Sequence, residues 1–309
     1  MDKCLSVVIP AYNEEGILSR TVAELTRVLD GAAIPFELVF VDDGSSDNTW
    51  ALIREAAAKD SRVRGVSFSR NFGKEAAIFA GMSHMRGDGC VVIDCDLQHP
   101  PEKIVEMVAL WNEGYEVIEA VKSSRGKESV FHRMSAVVFY GLISRATGID
   151  MRRASDFKLL DRKAVDVLLT IREKHAFFRA LSSWVGFKTT QVEFDVRERT
   201  AGASKWSTWS LMKYAVSNVT SFSSAPMHVV TVLGVLMLLV TLVMGIIALC
   251  QKIAGVALGG FTTVILLLLF IGSIMMISLG IIGYYISKIY EEIKGRPRYI
   301  VSHTCGDDQ

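Results

Sequence analysis

The sequence predicts an α/β domain built on a parallel sheet, followed by an amphipathic segment and two apolar helices long enough to cross a membrane. Three observations carry that prediction. The first hundred residues alternate short β-branched runs with helical stretches. Three of those runs end in clusters of polar residues. Half of the 309 residues are hydrophobic, and almost all of the excess falls after Pro226.

The elements follow in order. Residues 5–9 read as a first strand stopped by Pro10, an apolar run too short for the core of a signal peptide. Helix 15–29 comes next, then strand 37–41, helix 48–59, strand 63–67, helix 74–85 and strand 89–93. Pro100-Pro101-Glu102 opens a further helix. From 119 to 195 the periodicity fades, with 122–128 read as a polar loop and 129–148 as a helix. Residues 205–224 carry Trp206, Trp209 and Tyr214 beside Leu211, Met212 and two lysines, which suits a helix lying in a headgroup layer. A packed helix of the domain is the alternative.

Residues 228–250 and 254–287 contain no charge. About 20 helical residues cross a bilayer core, so the first run fits one span and the second a tilted one. Lys205 and Lys213 precede the spans, Lys288, Lys294, Arg296 and Arg298 follow them, and only Lys252 lies between. That asymmetry places the domain and both termini on the cytoplasmic side. The organisation is therefore a cytosolic domain over 1–200, a basic loop and interfacial helix over 201–225, two transmembrane helices over 226–288 and a cytoplasmic tail over 289–309.

Several classes are excluded. A net charge of +1 with no aromatic-basic RNA motif disfavours nucleic acid as a partner. Five cysteines without a C-x-x-C pair predict free thiols and no zinc site. The glycine-rich fingerprints of dinucleotide oxidoreductases and P-loop ATPases and the G-x-S-x-G of esterases are absent.

The three polar strand ends imply one site, since such sheets bind ligands beyond the carboxyl ends of their strands. They are Pro10-Ala11-Tyr12-Asn13-Glu14-Glu15, Asp42-Asp43-Gly44-Ser45-Ser46-Asp47 and the string from Asp94 to Glu102. Asp94 and Asp96 are two apart where the chain turns, so both carboxylates can approach one cation, and Gln98 adds a neutral oxygen. Such oxygen donors suit Mg2+ or Mn2+. Asp42 and Asp43 offer acceptors for a base or ribose, or else build a turn and a helix cap.

The strings V-I-P-A-Y-N-E-E, V-D-D-G-S-S-D, S-R-N-F-G-K-E-A-A and D-C-D-L-Q-H-P resemble those of inverting GT-A glycosyltransferases. The branch is that of dolichyl-phosphate mannose synthase and the bacterial polyprenyl-phosphate glucosyltransferases, and the resemblance runs from about residue 5 to 298. It implies a Rossmann-like GT-A catalytic domain in the bacterial inner membrane that moves a sugar from a nucleotide-sugar to polyprenyl phosphate such as undecaprenyl phosphate. UDP-glucose is the donor it suggests first, with UDP-N-acetylglucosamine, GDP-mannose or a UDP-aminoarabinose derivative as alternatives.

By that resemblance Pro10, Tyr12, Glu14, Asp42, Asp43, Lys74 and Asp94 bind the nucleotide-sugar, while Asp94, Asp96 and Gln98 hold Mg2+ or Mn2+. Arg125, Arg133, Arg199 and Lys205 face the acceptor phosphate, the last two in R-T-A-G-A-S-K-W, and Asp156 joins Asp94, Asp96, Arg199 and Lys205 as catalytic. Ser155-Asp156-Phe157-Lys158-Leu159 stands where relatives read G-D-F-R-L, with lysine in place of arginine. A homo-oligomer such as a tetramer is implied as well. Processive polysaccharide synthases carry a Q-x-x-R-W motif and more membrane helices, and this chain has neither. A noncatalytic scaffold retaining the fold would not need the acidic and basic sets together.

Overall fold

The computed structural model describes residues 3–122, 155–171, 173, 177–195, 225–255 and 260–306. Of the loop expected over 122–128, Lys122 instead ends a strand; its residues 123–128, the helix over 129–148, the segment 205–224 and the cations Arg125, Arg133, Arg199 and Lys205 lie outside the described residues. The chain divides into two compact units: Met1–Thr208 with Arg296–Gln309, and Trp209–Gly295.

In the first unit, β1 (Leu5–Ala11), α1 (Leu18–Gly31), β2 (Phe36–Asp42), α2 (Thr49–Lys59), β3 (Val63–Phe68), α3 (Lys74–His84), β4 (Gly89–Val92) and α4 (Glu102–Asn112) follow the alternation read from the sequence. β5 (Val117–Lys122), β6 (Lys158–Asp161), α5 (Arg162–Thr170), α6 (Phe178–Trp184), β7 (Thr189–Phe194) and β8 (Val301–Cys305) complete the described elements. The strands form one sheet in the order β7-β5-β6-β4-β1-β2-β3-β8.

Its centre, β4-β1-β2-β3, is parallel throughout. Those strands are almost wholly buried, as parallel strands covered by helices on both faces must be. One face packs Leu5, Val7, Ile9, Leu38 and Phe40 against Leu18, Leu25 and Leu29 of α1, Ile53 of α2 and Met107 and Trp111 of α4. On the other, Val41, Val66 and Phe68 meet Ala76, Ala77 and Ala80 of α3. The small side chains let α3 lie close to the sheet; at Gly89 on β4 an added Cβ would come within 2.7 Å of the Trp111 ring.

Two strands depart from a purely parallel sheet. β6 runs antiparallel between β4 and β5, and β8 adds an antiparallel edge beside β3. The segment 289–309, read as a tail, therefore contains a strand of the first unit's sheet.

In the second unit, α7 (Ala225–Ile253) and α8 (Phe261–Ile293) are both long and apolar enough to cross a membrane. None of the residues in their most apolar stretches is buried within the protein. α8 continues past the uncharged run, through Lys288, Glu291 and Glu292.

Candidate active site

Strand register brings the polar ends together. Ala11 pairs with Asp42, Asp42 with Ser67, and Val8 with Val92, so the ends of β1, β2, β3 and β4 reach one rim. Along the antiparallel β4–β6 ladder Val92 pairs with Lys158. One pleat further, the same register sets Asp94 opposite Asp156, because side chains two apart leave a strand on the same face.

The loops after β1 and β2 are zipped to each other. Asn13, at φ 55°, donates from its backbone N–H to Ser45 Oγ at 2.9 Å, and its Oδ1 accepts from the Ser46 N–H at 2.9 Å. Asparagine tolerates that left-handed conformation better than most residues. The Glu14 N–H donates to Thr49 Oγ1, and Glu15 Oε2 accepts from the backbone and side chain of Asn48. Gly44, at φ 67°, packs against the Arg70–Asn71 backbone, where a Cβ would meet Asn71 N at 2.7 Å. Tyr12 projects from this loop with 42% of its surface exposed.

Asp42 and Asp43 are both buried. Asp42 accepts from Ser67 Oγ at 2.8 Å and from the Ser45 N–H at 3.0 Å. Asp43 accepts from the N–H groups of Phe72 and Gly73, fixing the loop that leads into α3. Burial pushes the Asp43 carboxyl above the usual range despite those donors. The turn-building role considered for this string is thus visible in its hydrogen bonds.

α3 begins with Lys74, whose Nζ lies 2.5 Å from Asp94 Oδ1 and 2.8 Å from Asp156 Oδ2. Arg179 on α6 grips Asp156 in a fork, Nε to Oδ1 at 2.7 Å and Nη2 to Oδ2 at 2.9 Å. The order Asp94, Lys74, Asp156, Arg179 alternates in charge and joins β4, α3, β6 and α6. Burial alone would raise the Asp156 carboxyl, but Lys74 and Arg179 outweigh it and hold the group well below its ordinary range. Lys74 keeps 40% of its side chain exposed while Asp156 keeps 6%, so solvent screens the Lys74–Asp94 contact more than the Asp156–Arg179 one. Glu75 lies behind this ladder and accepts from the Phe178 N–H at 2.9 Å; burial and the Asp156 charge push it up to about 7.

After β4 the chain alternates buried Ile93, Cys95, Leu97 and His99 with half-buried Asp94, Asp96 and Gln98. Leu97 takes φ 54°, a left-handed conformation that costs a branched side chain on the order of 1–2 kcal/mol. Asp96 Oδ1 accepts from the Gln98 N–H at 3.1 Å, closing that turn. Among the described residues no three His, Cys, Asp or Glu side chains converge as a metal-binding group. The oxygen donors of Asp94, Asp96 and Gln98 fit a hard cation that takes the rest of its shell from water and phosphate oxygens, as Mg2+ does.

His99 sits under this turn, 8% exposed, its ring stacked on Phe157 at 5.1 Å and edge-on to Phe194 at 5.3 Å. Its Nδ1 is buried without a hydrogen-bond partner, 4.0 Å from Asp94 Oδ2. Burial lowers its pKa despite the neighbouring carboxylates.

Comparison with known proteins decides what this rim belongs to. Residues 6–169, just over half of the chain, match the family described as Glycosyl transferase family 2. The chain is a family 2 glycosyltransferase. YkcC, a glycosyltransferase of Bacillus subtilis (strain 168), is 41% identical over 97% of this chain and 94% of its own. The bactoprenol glucosyl transferase of Shigella phage SfX is 35% identical, covering 96% of this chain and 98% of its own. The GT-A fold is shared with glucosyl-3-phosphoglycerate synthase from Mycobacterium tuberculosis, solved with Mn2+, uridine diphosphate and glucosyl-3-phosphoglycerate. That likeness has a TM-score of 0.50 at 22% identity and covers 71% of this chain and 79% of the other.

In this glycosyltransferase the structure gathers Pro10, Tyr12, Glu14, Asp42, Asp43, Lys74, Asp94, Asp96, Gln98 and Asp156 at the carboxyl rim of one sheet. Lys158, in the Ser155–Leu159 string, is fully buried. Its Nζ donates to Glu119 at 2.5 Å, Ser182 Oγ at 2.8 Å and the Arg179 carbonyl at 3.2 Å. Sequence reading missed Arg179, Glu75 and the buried His99. Glu75 carried a signal, being the only acid in a helix whose next seven residues are apolar or glycine.

Proposed function

We propose that this glycosyltransferase moves a sugar from a nucleotide-sugar, UDP-glucose first among candidates, to a polyprenyl phosphate at the cytoplasmic face of a bacterial inner membrane. The observation that carries this reading is the full-length match to the bactoprenol glucosyl transferases, which extends beyond the catalytic domain over both apolar helices. A lipid acceptor needs such an anchor, because the phosphate to be glycosylated stays at the bilayer surface. The exposed apolar sides of α7 and α8 offer surface to lipid and to further copies of this chain.

Tyr12 offers an exposed ring for the nucleoside at the rim, beside Pro10 and Glu14. Asp94, Asp96 and Gln98 would hold Mg2+ or Mn2+. When bound, that cation supplies positive charge to the departing diphosphate. Lys74, set between Asp94 and Asp156, would add a second cation at the same rim, and Arg179 keeps Asp156 from moving away. The acceptor phosphate is already anionic near neutral pH, so its oxygen attacks the anomeric carbon directly, with inversion and without a strong general base. Arg125, Arg133, Arg199 and Lys205 are assigned to the acceptor phosphate by resemblance to the family.

The test is purified protein incubated with labelled nucleotide-sugars and undecaprenyl phosphate. A chloroform-extractable sugar lipid should form, chelation should stop it, and Asp96→Ala should reduce it to background. If no donor among UDP-glucose, UDP-N-acetylglucosamine, GDP-mannose and a UDP-aminoarabinose derivative gives a lipid product, the proposal falls.

A further inference from the structure

One polar atom near the site has no account in the chemistry above. His99 Nδ1 is buried, makes no hydrogen bond, and faces Asp94 Oδ2 at 4.0 Å. A buried polar atom left unpaired costs on the order of 1–3 kcal/mol, so an orphaned Nδ1 in this place points to a partner taken up in another state of the site.

The surroundings say which partner. Phe157 and Phe194 hold the imidazole on two sides and offer it no hydrogen-bonding group of their own side chains. Asp94 Oδ1 is held by Lys74 at 2.5 Å, leaving Oδ2 as the oxygen turned toward the histidine. An unprotonated Nδ1 would set a lone pair against that carboxylate, whereas an Nδ1–H would donate to it. A gap of 4.0 Å is too long for a hydrogen bond and short enough to be closed by a small rotation of the Asp94 carboxylate.

We propose that His99 is a positioning residue for Asp94: its Nδ1–H engages Oδ2 when donor and cation occupy the rim, fixing one orientation of the carboxylate. The aromatic walls act by locking the ring, and the position of the ring proton is set by the bond that Nδ1 makes, in the way that outer-shell partners orient metal-binding side chains. The inference deepens the donor-site reading and rests on it for what Asp94 binds.

Two substitutions separate the hydrogen bond from the packing. Asparagine places its side-chain N–H where Nδ1 stands but lacks the ring, while phenylalanine keeps the ring and lacks the nitrogen. Binding of Mn2+ with UDP, followed by calorimetry and by the paramagnetic signal of bound Mn2+, should weaken on the order of 10-fold or more in His99→Phe and only ~3-fold in His99→Asn. Wild-type affinity in His99→Phe, or equal losses in both variants, would overturn the proposal. Selective 15N-histidine spectra give a readout independent of any donor: His99 should report the Nδ1–H tautomer, and Asp94→Asn should perturb it. A wild-type chain that binds no nucleotide but shows this tautomer sinks the donor reading alone; an Nε2–H tautomer unaffected by Asp94→Asn sinks the role of His99.

Discussion

Glu75 shows how a single side chain makes the stability of the site depend on pH. Burial and the Asp156 charge push its carboxyl up to about 7, against about 4.3 in an unfolded chain. Between those values the folded protein binds the extra proton, so stability falls as pH rises toward 7 and levels off above it. Asp156 has the opposite sign: its depressed pKa contributes stability that is present above about 3.9 and lost only as pH falls further, outside this window. Glutamine at position 75 keeps an acceptor for the Phe178 N–H and cannot ionise. Glu75→Gln should therefore gain on the wild type as pH is raised from 5 to 8, measured as the difference in thermal midpoint. A difference that stays constant over that range would show that Glu75 does not titrate there.

At the level of elements, β6 and α6 are joined by Lys158, the lysine of the Ser155–Leu159 string. Lys158 is cross-strand partner to Glu119 and also ties the Arg179 carbonyl and Ser182 of α6, so it sets the helix from which Arg179 reaches Asp156. Removing one partner of a buried pair leaves the other charge uncompensated, at a cost of about 3–5 kcal/mol. Lys158→Met should lower the stability of the catalytic unit to urea by that order, and adding Glu119→Gln should restore most of it; a neutral single variant would contradict the pairing. This region was also where the sequence was least legible. β1 to β4 and their helices were readable because each strand is a short valine-bearing run and the helices between them are apolar on one face or, in α3, over most of their length. β6 is four residues long and pairs with strands far from it in the chain, and the seven-residue α6 has no periodic signal. The acidic members of the site were legible because they end readable strands. Arg179 was not, because only folding brings α6 beside Asp156.

Across the whole molecule, the decisive feature is a strand that no local pattern announced. Val301–Cys305 is short and largely exposed, yet it pairs with β3, and the residues before it are bound to the catalytic unit as well. Tyr299 stacks on Phe68 at 5.0 Å and its hydroxyl meets Ser83 Oγ at 2.8 Å. Arg298 lies 4.4 Å over Phe79 and donates to the carbonyls of Ile171 and Glu173. The chain thus leaves the catalytic unit before α7 and rejoins the same sheet after α8. A membrane cannot separate two parts of one sheet, so if α7 and α8 cross one they cross it an even number of times between them. The charge asymmetry read from the sequence asks for the same arrangement by a different cause, lysine and arginine retention on the cytoplasmic side. A periplasm-dependent phosphatase fused after Ala254 should be active in a bacterial host, while a fluorescent protein that folds only in the cytosol should light up when fused after Gln309. An inactive phosphatase at Ala254 together with cytosolic fluorescence at the C-terminus would mean that neither helix crosses, and that both lie on one side of the bilayer.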